Sequence, residues 1–253
     1  MEPLAFALIA LTGLVMGFVN NLAGAGGALA LLAFDLVAHL SRESANAAMR
    51  PAALAIALGG ALGFVLHGHR IPGRAFLYGL ATIPGALLGT FFAIRLPTQV
   101  YDAALLCVIA ILVAGLLREK RGAPPAPKAS RPLAILLFVA VGLHMGFLQV
   151  GVGLLAIAAL RRVGDRDLVR VNAAKMALIA CSSTTSIATF ASAGSIHWWP
   201  ASALASGAFA GSFLGSRFSV KKGHRAVLGF VLVVAVIVLI RTAWHLFETL
   251  LQG

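Results

Sequence analysis

Apolar residues fall along this 253-residue chain in long continuous runs, not in the alternation of a half-buried strand or the narrow stripe of a surface helix. Runs able to enter or cross hydrocarbon, for which a full helix takes about 20 residues, cover 4–40, 51–66, 75–94, 99–117, 132–160, 171–191, 200–216 and 226–247. The pattern predicts an all-α polytopic membrane protein. Two runs are too long for one crossing. The first is interrupted by NNLAGAGG and the run 132–160 by GFLQVGVG. As a single helix the latter would measure about 43 Å, against roughly 30 Å of hydrocarbon. Each is predicted to be a broken segment, re-entrant or a hairpin of two short limbs.

The stretch REKRGAPPAPKASRP cannot be helix throughout and divides the chain. The division predicted is a first membrane repeat over 1–117, a basic linker over 118–131 and a second repeat over 132–253. Asn46-Ala47-Ala48 recurs as Asn172-Ala173-Ala174, 126 residues on, and Gly85 and Gly89 recur at the same spacing as Gly211 and Gly215. Gly17-Phe18 recurs as Gly146-Phe147 and Gly24-x-Gly26 as Gly151-x-Gly153, at spacings of 129 and 127. Duplication is the economical reading.

Charge then orients the copies, because Lys and Arg collect in cytoplasmic loops. With the linker inside, loops 67–74, 161–170 and 217–225 also belong inside, each carrying at least two Arg or Lys, and loops 41–50 and 95–98 belong outside. Loop 192–199 has no Lys or Arg and carries Trp198 and Trp199, rings suited to the outer interface. The trace closes only if 132–160 starts and ends on the cytoplasmic side. Two inverted-topology repeats follow, each a broken segment plus three transmembrane helices, a plan recurrent among secondary transporters.

Composition supports the class. Hydrophobic residues make up 60%, charged residues 11%, and the mean hydropathy is +0.96, more apolar surface than a soluble globule of this length can hide. An excess of 20 Lys+Arg over 8 Asp+Glu would suit nucleic acid in a soluble domain; here it lies in short loops, and no nucleic-acid partner is expected. The N-terminus has acidic Glu2, no basic n-region and no A-x-A cleavage site, so it is read as part of the mature fold. Cys107 and Cys181 sit in apolar runs as packing residues.

Non-helical backbone at membrane depth must be buried in protein or line a cavity. Glycines permit close approach, and the N-terminus of the following half-helix favours an anion. The pattern of Gly17, Asn21, Ala23, Gly24, Gly26 and Gly27, with Gly146, Gly151 and Gly153 in the second copy, resembles the TauE/SafE sulfite exporter family over nearly the whole chain. That resemblance implies export of a small sulfur-containing oxyanion, sulfite or an organosulfonate such as sulfoacetate, across the bacterial inner membrane. Many members carry a proline shortly after each glycine cluster, where this chain has Leu31-Leu32 and Ala156-Ile157. The second copy has Leu154 in place of the third glycine.

The candidate substrate-binding residues are Asn20, Asn21, Gly24, Gly26, Gly27, Arg50, Gln149, Gly151, Gly153, Lys175, Ser182 and Ser183. The glycines could serve only close helix packing, but Asn20 and Asn21 would be costly in lipid, which favours a polar cavity. Arg50 and Lys175 each open a crossing helix just after Asn-Ala-Ala and could neutralise an oxyanion; alternatively they snorkel to headgroups. Ser182 and Ser183 offer hydroxyl donors that could equally bond their own helix. Gly85-x-x-x-Gly89 reads as helix packing. Asp35 is read as an interfacial acid beside His39, and His144 as a packed histidine. No enzyme constellation, metal-ligand spacing, cofactor motif or ATP-binding loop is present, so transport is expected to use gradients. Membrane lipid is an expected partner and a homodimer is compatible with the sequence. The rivals are a carrier of another small anion such as a carboxylate, an intramembrane enzyme, or a non-transporting subunit.

Overall fold

The computed structural model describes residues 3–24, 26–97, 129–164 and 167–221, together with 99–101, 103–104, 106–108, 110–111, 114, 240 and 244. Among them every regular element is a helix: α1 Pro3–Ala23, α2 Gly27–Leu36, α3 Arg42–Leu66, α4 Gly73–Arg95, α5 Arg131–Phe147, α6 Val152–Arg162, α7 Leu168–Ser192 and α8 Trp198–Lys221. Apart from residues 240 and 244, the expected helix over 226–247 lies outside the described residues, as does most of the linker.

Local chemistry explains several boundaries. Ser41 caps α3 by accepting from the Ser44 N–H at 3.3 Å, and Glu43 adds a negative charge in the first turn. Asp167 caps α7 through the Val169 N–H at 2.9 Å. Helix α3 therefore begins nine residues before the apolar run 51–66, and Arg50 lies well inside it, not at its opening. Pro51 is accommodated within the same helix.

The neighbours form a series, α1 on α8, α8 on α3, α3 on α7, α7 on α4 and α4 on α5, with α2 held by α1 and α3 and α6 by α5 and α7. The middle of the series is the α3/α7 contact, and the two flanks use the same device. On one flank, a Cβ on Gly85 or Gly89 would meet the Val139 or Leu143 carbonyl oxygen, and one on Gly142 or Gly146 would meet that of Thr82 or Ala86. On the other, Gly207 and Gly211 abut the carbonyls of Ala10 and Leu14, and Gly13 and Gly17 those of Leu204 and Ala208. Backbones approach this closely only without side chains between them.

These contacts correct the register read from sequence. The partners of Gly85 and Gly207 are Val139 and Ala10, 129 residues apart, and those of Gly89 and Gly211 are Leu143 and Leu14, again 129 apart. Gly85 and Gly89 thus correspond in packing to Gly207 and Gly211, a spacing of 122. Gly215, the expected mate of Gly89, instead faces the Asn21 side chain. Glycines at 207, 211 and 215 stand one turn apart, so a slip of one turn leaves a glycine at each contact and the sequence match cannot distinguish the two registers.

Among the described helices, α1, α3 and α4 are long and apolar enough to cross a membrane. Leu58, Leu62, Val65 and Leu66 of α3 and Leu77, Leu80, Leu87 and Leu88 of α4 are exposed. An outer surface this apolar suits lipid, not water.

Candidate functional site

The first break, Gly24 to Gly26, and the second, Leu148 to Gly151, meet in the interior. Gly24 and Gly151 hold φ of 76° and 72°, a region that glycine enters without strain. A Cβ on Gly24 would collide with the backbone of Gly153 and Leu154, and one on Gly153 with Gly24. A Cβ on Gly27 would strike the Gln149 carbonyl, and one on Gly26 that of Met16. The Leu154 N–H donates to the Gly24 carbonyl at 3.2 Å. In this conformation an N–H at the start of α6, a group the sequence offered to an anion, is occupied by the opposite break.

Arg50 is fully buried on α3 and reaches across to the C-terminal end of α5. One guanidinium nitrogen, Nη1, donates to the Met145 carbonyl and to Gln149 Oε1 at 2.7 Å. The other, Nη2, donates to Asn46 Oδ1 and the Gly146 carbonyl, each at 2.9 Å, and to the Phe147 carbonyl at 3.2 Å. Arg50 thus reaches all of the last three carbonyls of α5, which have no further turn of helix to satisfy them, and Thr90 Oγ1 shares the Gly146 carbonyl at 3.3 Å. Asn46, one turn before Arg50 on the same face, donates to the Phe147 carbonyl at 2.9 Å and accepts from the Gln149 N–H at 3.2 Å. The Phe190 ring lies 5.0 Å from the Arg50 guanidinium. Arg50 Nε is buried with no acceptor.

Lys175 does the reciprocal job from α7. Also fully buried, its ammonium donates to the Asn20 and Asn21 carbonyls at 2.8 and 3.0 Å, at the C-terminal end of α1. The Asn21 side chain donates to the Ser212 carbonyl at 2.9 Å and to its Oγ at 3.1 Å. Asn20 Oδ1, Asn21 Oδ1 and Asn172 Oδ1 are buried without partners, and such atoms are where water or a ligand is expected. A helix C-terminus carries about half a negative charge, so it offsets each cation only in part. Among the described residues no carboxylate pairs with Arg50 or Lys175. Neither cation snorkels, contrary to the alternative reading of the sequence.

A model of the family described as Sulfite exporter TauE/SafE matches residues 9–242. The chain belongs to the TauE/SafE sulfite exporter family. Comparison with curated proteins and with solved structures returned no match. The TauE/SafE match spans both breaks and both buried cations, and it makes this chain a member of a membrane transporter family.

Of the predicted site residues, Gly24, Gly27, Gly153 and Gln149 converge where the TauE/SafE breaks touch, with Gly26 against Met16 and Asn20 and Gly151 opening α6. Asn20, Asn21 and Lys175 form one flanking cluster, and Arg50 with Gln149 the other. Ser182 is buried, and its hydroxyl is engaged by the Leu178 and Ile179 carbonyls at 3.0 and 3.2 Å and by Met145 Sδ at 3.1 Å; Ser183 is buried on the same helix. His144 lies 2.9 Å from the Val150 carbonyl, bridging the second break. Among the described residues, no three His, Cys, Asp or Glu side chains converge to hold a metal. Sequence reasoning missed Asn46, Ser212 and Phe190 as members of these clusters. For Asn46 a signal existed, since it stands four residues before Arg50.

Proposed function

We propose that the protein is a secondary transporter that exports sulfite or a small organosulfonate across the bacterial inner membrane, working by alternating access at the meeting point of the two breaks. One observation carries this reading: two fully buried cations, Arg50 and Lys175, flank the crossing of two broken helices with no carboxylate partner among the described residues. A charged group at membrane depth is costly unless its charge is used. Two positive charges in one protein core, each only partly offset by a helix end, favour an anion between them. Arg50 Nε is an unspent donor for it.

The reading takes the chain as two inverted repeats, 1–117 and 132–253, joined by the basic linker 118–131. Supporting it is the exchange of partners, in which α3 of the first half caps α5 of the second while α7 of the second caps α1 of the first. The matching flanks α1/α8 and α4/α5 support it equally. Such a plan alternates by rocking one half against the other. The close Gly24–Gly153 contact then bars the way between the halves, and anion passage requires the Leu154–Gly24 hydrogen bond to open. With the interior negative, each exported negative charge gains about 2.3 kcal/mol per 100 mV, so efflux of an anion needs no nucleotide.

Proteoliposomes loaded in parallel with labelled sulfite, sulfoacetate and a small carboxylate test the proposal. Saturable efflux of either sulfur anion, accelerated by an inside-negative potential, is expected. Flux of the carboxylate alone would reassign the substrate, and flux of none would remove the transport reading.

A further inference from the structure

The two buried cations hold helix ends alike but differ in what they can release. Arg50 keeps its charge, as arginine does in proteins, and shares two nitrogens among five acceptors. Among the described residues Lys175 has two acceptors, both backbone carbonyls at the end of α1, and a buried amine can give up its proton. Carbonyls at the end of a broken helix are where ion-coupled carriers hold Na⁺ or a proton; here a tethered ammonium stands on them. The ionisable groups of the described elements around it are placed elsewhere. Helix α1 carries none, Arg50 of α3 grips α5, Arg217 of α8 is exposed, and Cys181 of α7 faces Gly79 of α4. Arg42 and Glu43 open α3, Asp35 lies in the last turn of α2, Arg161 and Arg162 end α6, Arg74 and Arg170 line a cavity at the starts of α4 and α7, and His144 of α5 meets Val150.

A polar file leads to Lys175. Asn172, one turn before it on α7, donates to Ser219 Oγ of α8 at 3.4 Å. Ser219, Ser216 and Ser212 stand three and four residues apart on one face of α8. Ser212 receives the Asn21 side chain, whose own backbone carbonyl Lys175 holds. Helix α3 has glycine where the file passes: a Cβ on Gly63 would overlap Ser216 Oγ, and one on Gly60 would meet Ser212 Oγ at 2.8 Å and Asn21 Nδ2 at 2.9 Å. All of these polar side chains are buried except Ser219, which is half-buried, so the file reaches the surface beside exposed Arg217. Along it the carboxamide oxygens of Asn21 and Asn172 have no donor, and such positions bind water.

We propose that Lys175 is the proton carrier of the transport cycle, loaded through this file from the end whose loop charges predict a cytoplasmic location. Its amine takes a proton from cytoplasmic water, and the resulting ammonium pairs with the anion. Once the anion has left outside, the ammonium gives that proton to external water and returns as a neutral amine, which avoids moving an unpaired buried charge. A proton thus leaves with each anion, and a dianion still carries net negative charge outward. This role rests on the transport reading above.

The test uses the full chain in proteoliposomes, with sulfoacetate and sulfite as probes, a pH dye in the lumen, and a pH at which the anion is fully ionised. Wild type should turn the lumen alkaline in step with efflux, and its net efflux should slow as the pH on both sides is raised. Lys175→Arg keeps the charge and cannot discharge it. Its exchange of labelled for unlabelled anion should persist, while net efflux falls by about tenfold or more, a barrier higher by about 1.4 kcal/mol. Lys175→Gln should lose both. Asn172→Leu with Ser219→Ala leaves Lys175 in place and should slow net efflux more than exchange. Melting temperatures verify that each variant is folded.

Anion efflux without proton movement in wild type, or Lys175→Arg exporting at the wild-type rate, would overturn the proposal and leave the transport reading standing. So would a requirement for Na⁺, which would put a metal ion on the α1 carbonyls. Equal slowing of exchange and net efflux in the Asn172 and Ser219 variant would remove the file. Flux of neither anion would sink the transport reading itself, so the two failures are distinguishable.

Discussion

Gly24 and Gly68 both hold positive φ, 76° and 81°, yet only Gly24 is crowded; a Cβ on Gly68 would meet nothing within 4 Å. Gly68→Ala should therefore cost about 1 kcal/mol of backbone strain. Gly24→Ala adds a collision with the Gly153 backbone and should lower stability by a further 1–3 kcal/mol or so. Thermal melting in detergent checks the difference, and equal losses would mean that the two breaks do not touch. The cations differ in the same graded way. Arg50 serves five acceptors with two nitrogens, so Arg50→Lys should destabilise the protein nearly as much as Arg50→Met, at about 1–3 kcal/mol for a buried acceptor such as the Met145 carbonyl that loses its donor, while Asn46 and Thr90 still donate to the Phe147 and Gly146 carbonyls. Denaturation curves of the two variants decide this; a Lys that restores full stability would refute the capping role. The presence of the cations was legible in sequence, because Lys175 stands inside an apolar run and Arg50 at the edge of one, each just after Asn-Ala-Ala. Their use was not. Arg50 acts on carbonyls about a hundred residues away and Lys175 on carbonyls about 155 away, and no local pattern encodes that reach.

At the scale of the helix, the breaks were the easiest features to read, since asparagines and glycines cannot continue a lipid-facing helix without a reason. The start of α3 was harder. Arg42, Glu43, Ser44, Asn46 and Arg50 dilute its hydropathy, so the apolar run begins only at residue 51, although the Ser41 cap and helix-compatible residues carry the helix nine residues further back. The Gly-x-x-x-Gly pairs were legible as packing sites, but their register was not, because glycines one turn apart are interchangeable in a one-dimensional match. This yields a discriminating prediction. Gly85→Val and Gly207→Val should destabilise their flanks by similar amounts, of order 1–3 kcal/mol. Gly215→Ala, which meets the Asn21 Cβ and the Phe18 backbone near 3 Å, should cost less. Melting temperatures of the three variants report the order; a Gly215 variant as damaging as Gly207→Val would restore the 126-residue register.

For the molecule as a whole, the contacts gather particular chain segments at one end. Pro72 and Arg74 share a cavity with Val163 and Arg170, the Ala129 N–H donates to the Arg162 carbonyl at 2.7 Å, and Ser219 lies 3.4 Å from Asn172. These are the segments whose Arg and Lys content predicts a cytoplasmic location. Phe6 and Trp199 lie together, ring centroids 5.1 Å apart, at the starts of α1 and α8. Single cysteines at positions 69 and 164 should label from the cytoplasmic side of oriented vesicles and one at 195 from the opposite side; labelling of all three from one side would undo the inverted arrangement. The proposed role of the buried positive charge beside the crossed breaks is to carry an anion. Its most direct test is the initial rate of sulfite or sulfoacetate efflux, whichever anion the wild type moves, from proteoliposomes holding Lys175→Gln, compared with wild type at equal protein and with folding verified by melting. A fall of roughly tenfold or more, equivalent to about 1.4 kcal/mol, is the predicted result; efflux unchanged in the folded variant would contradict it.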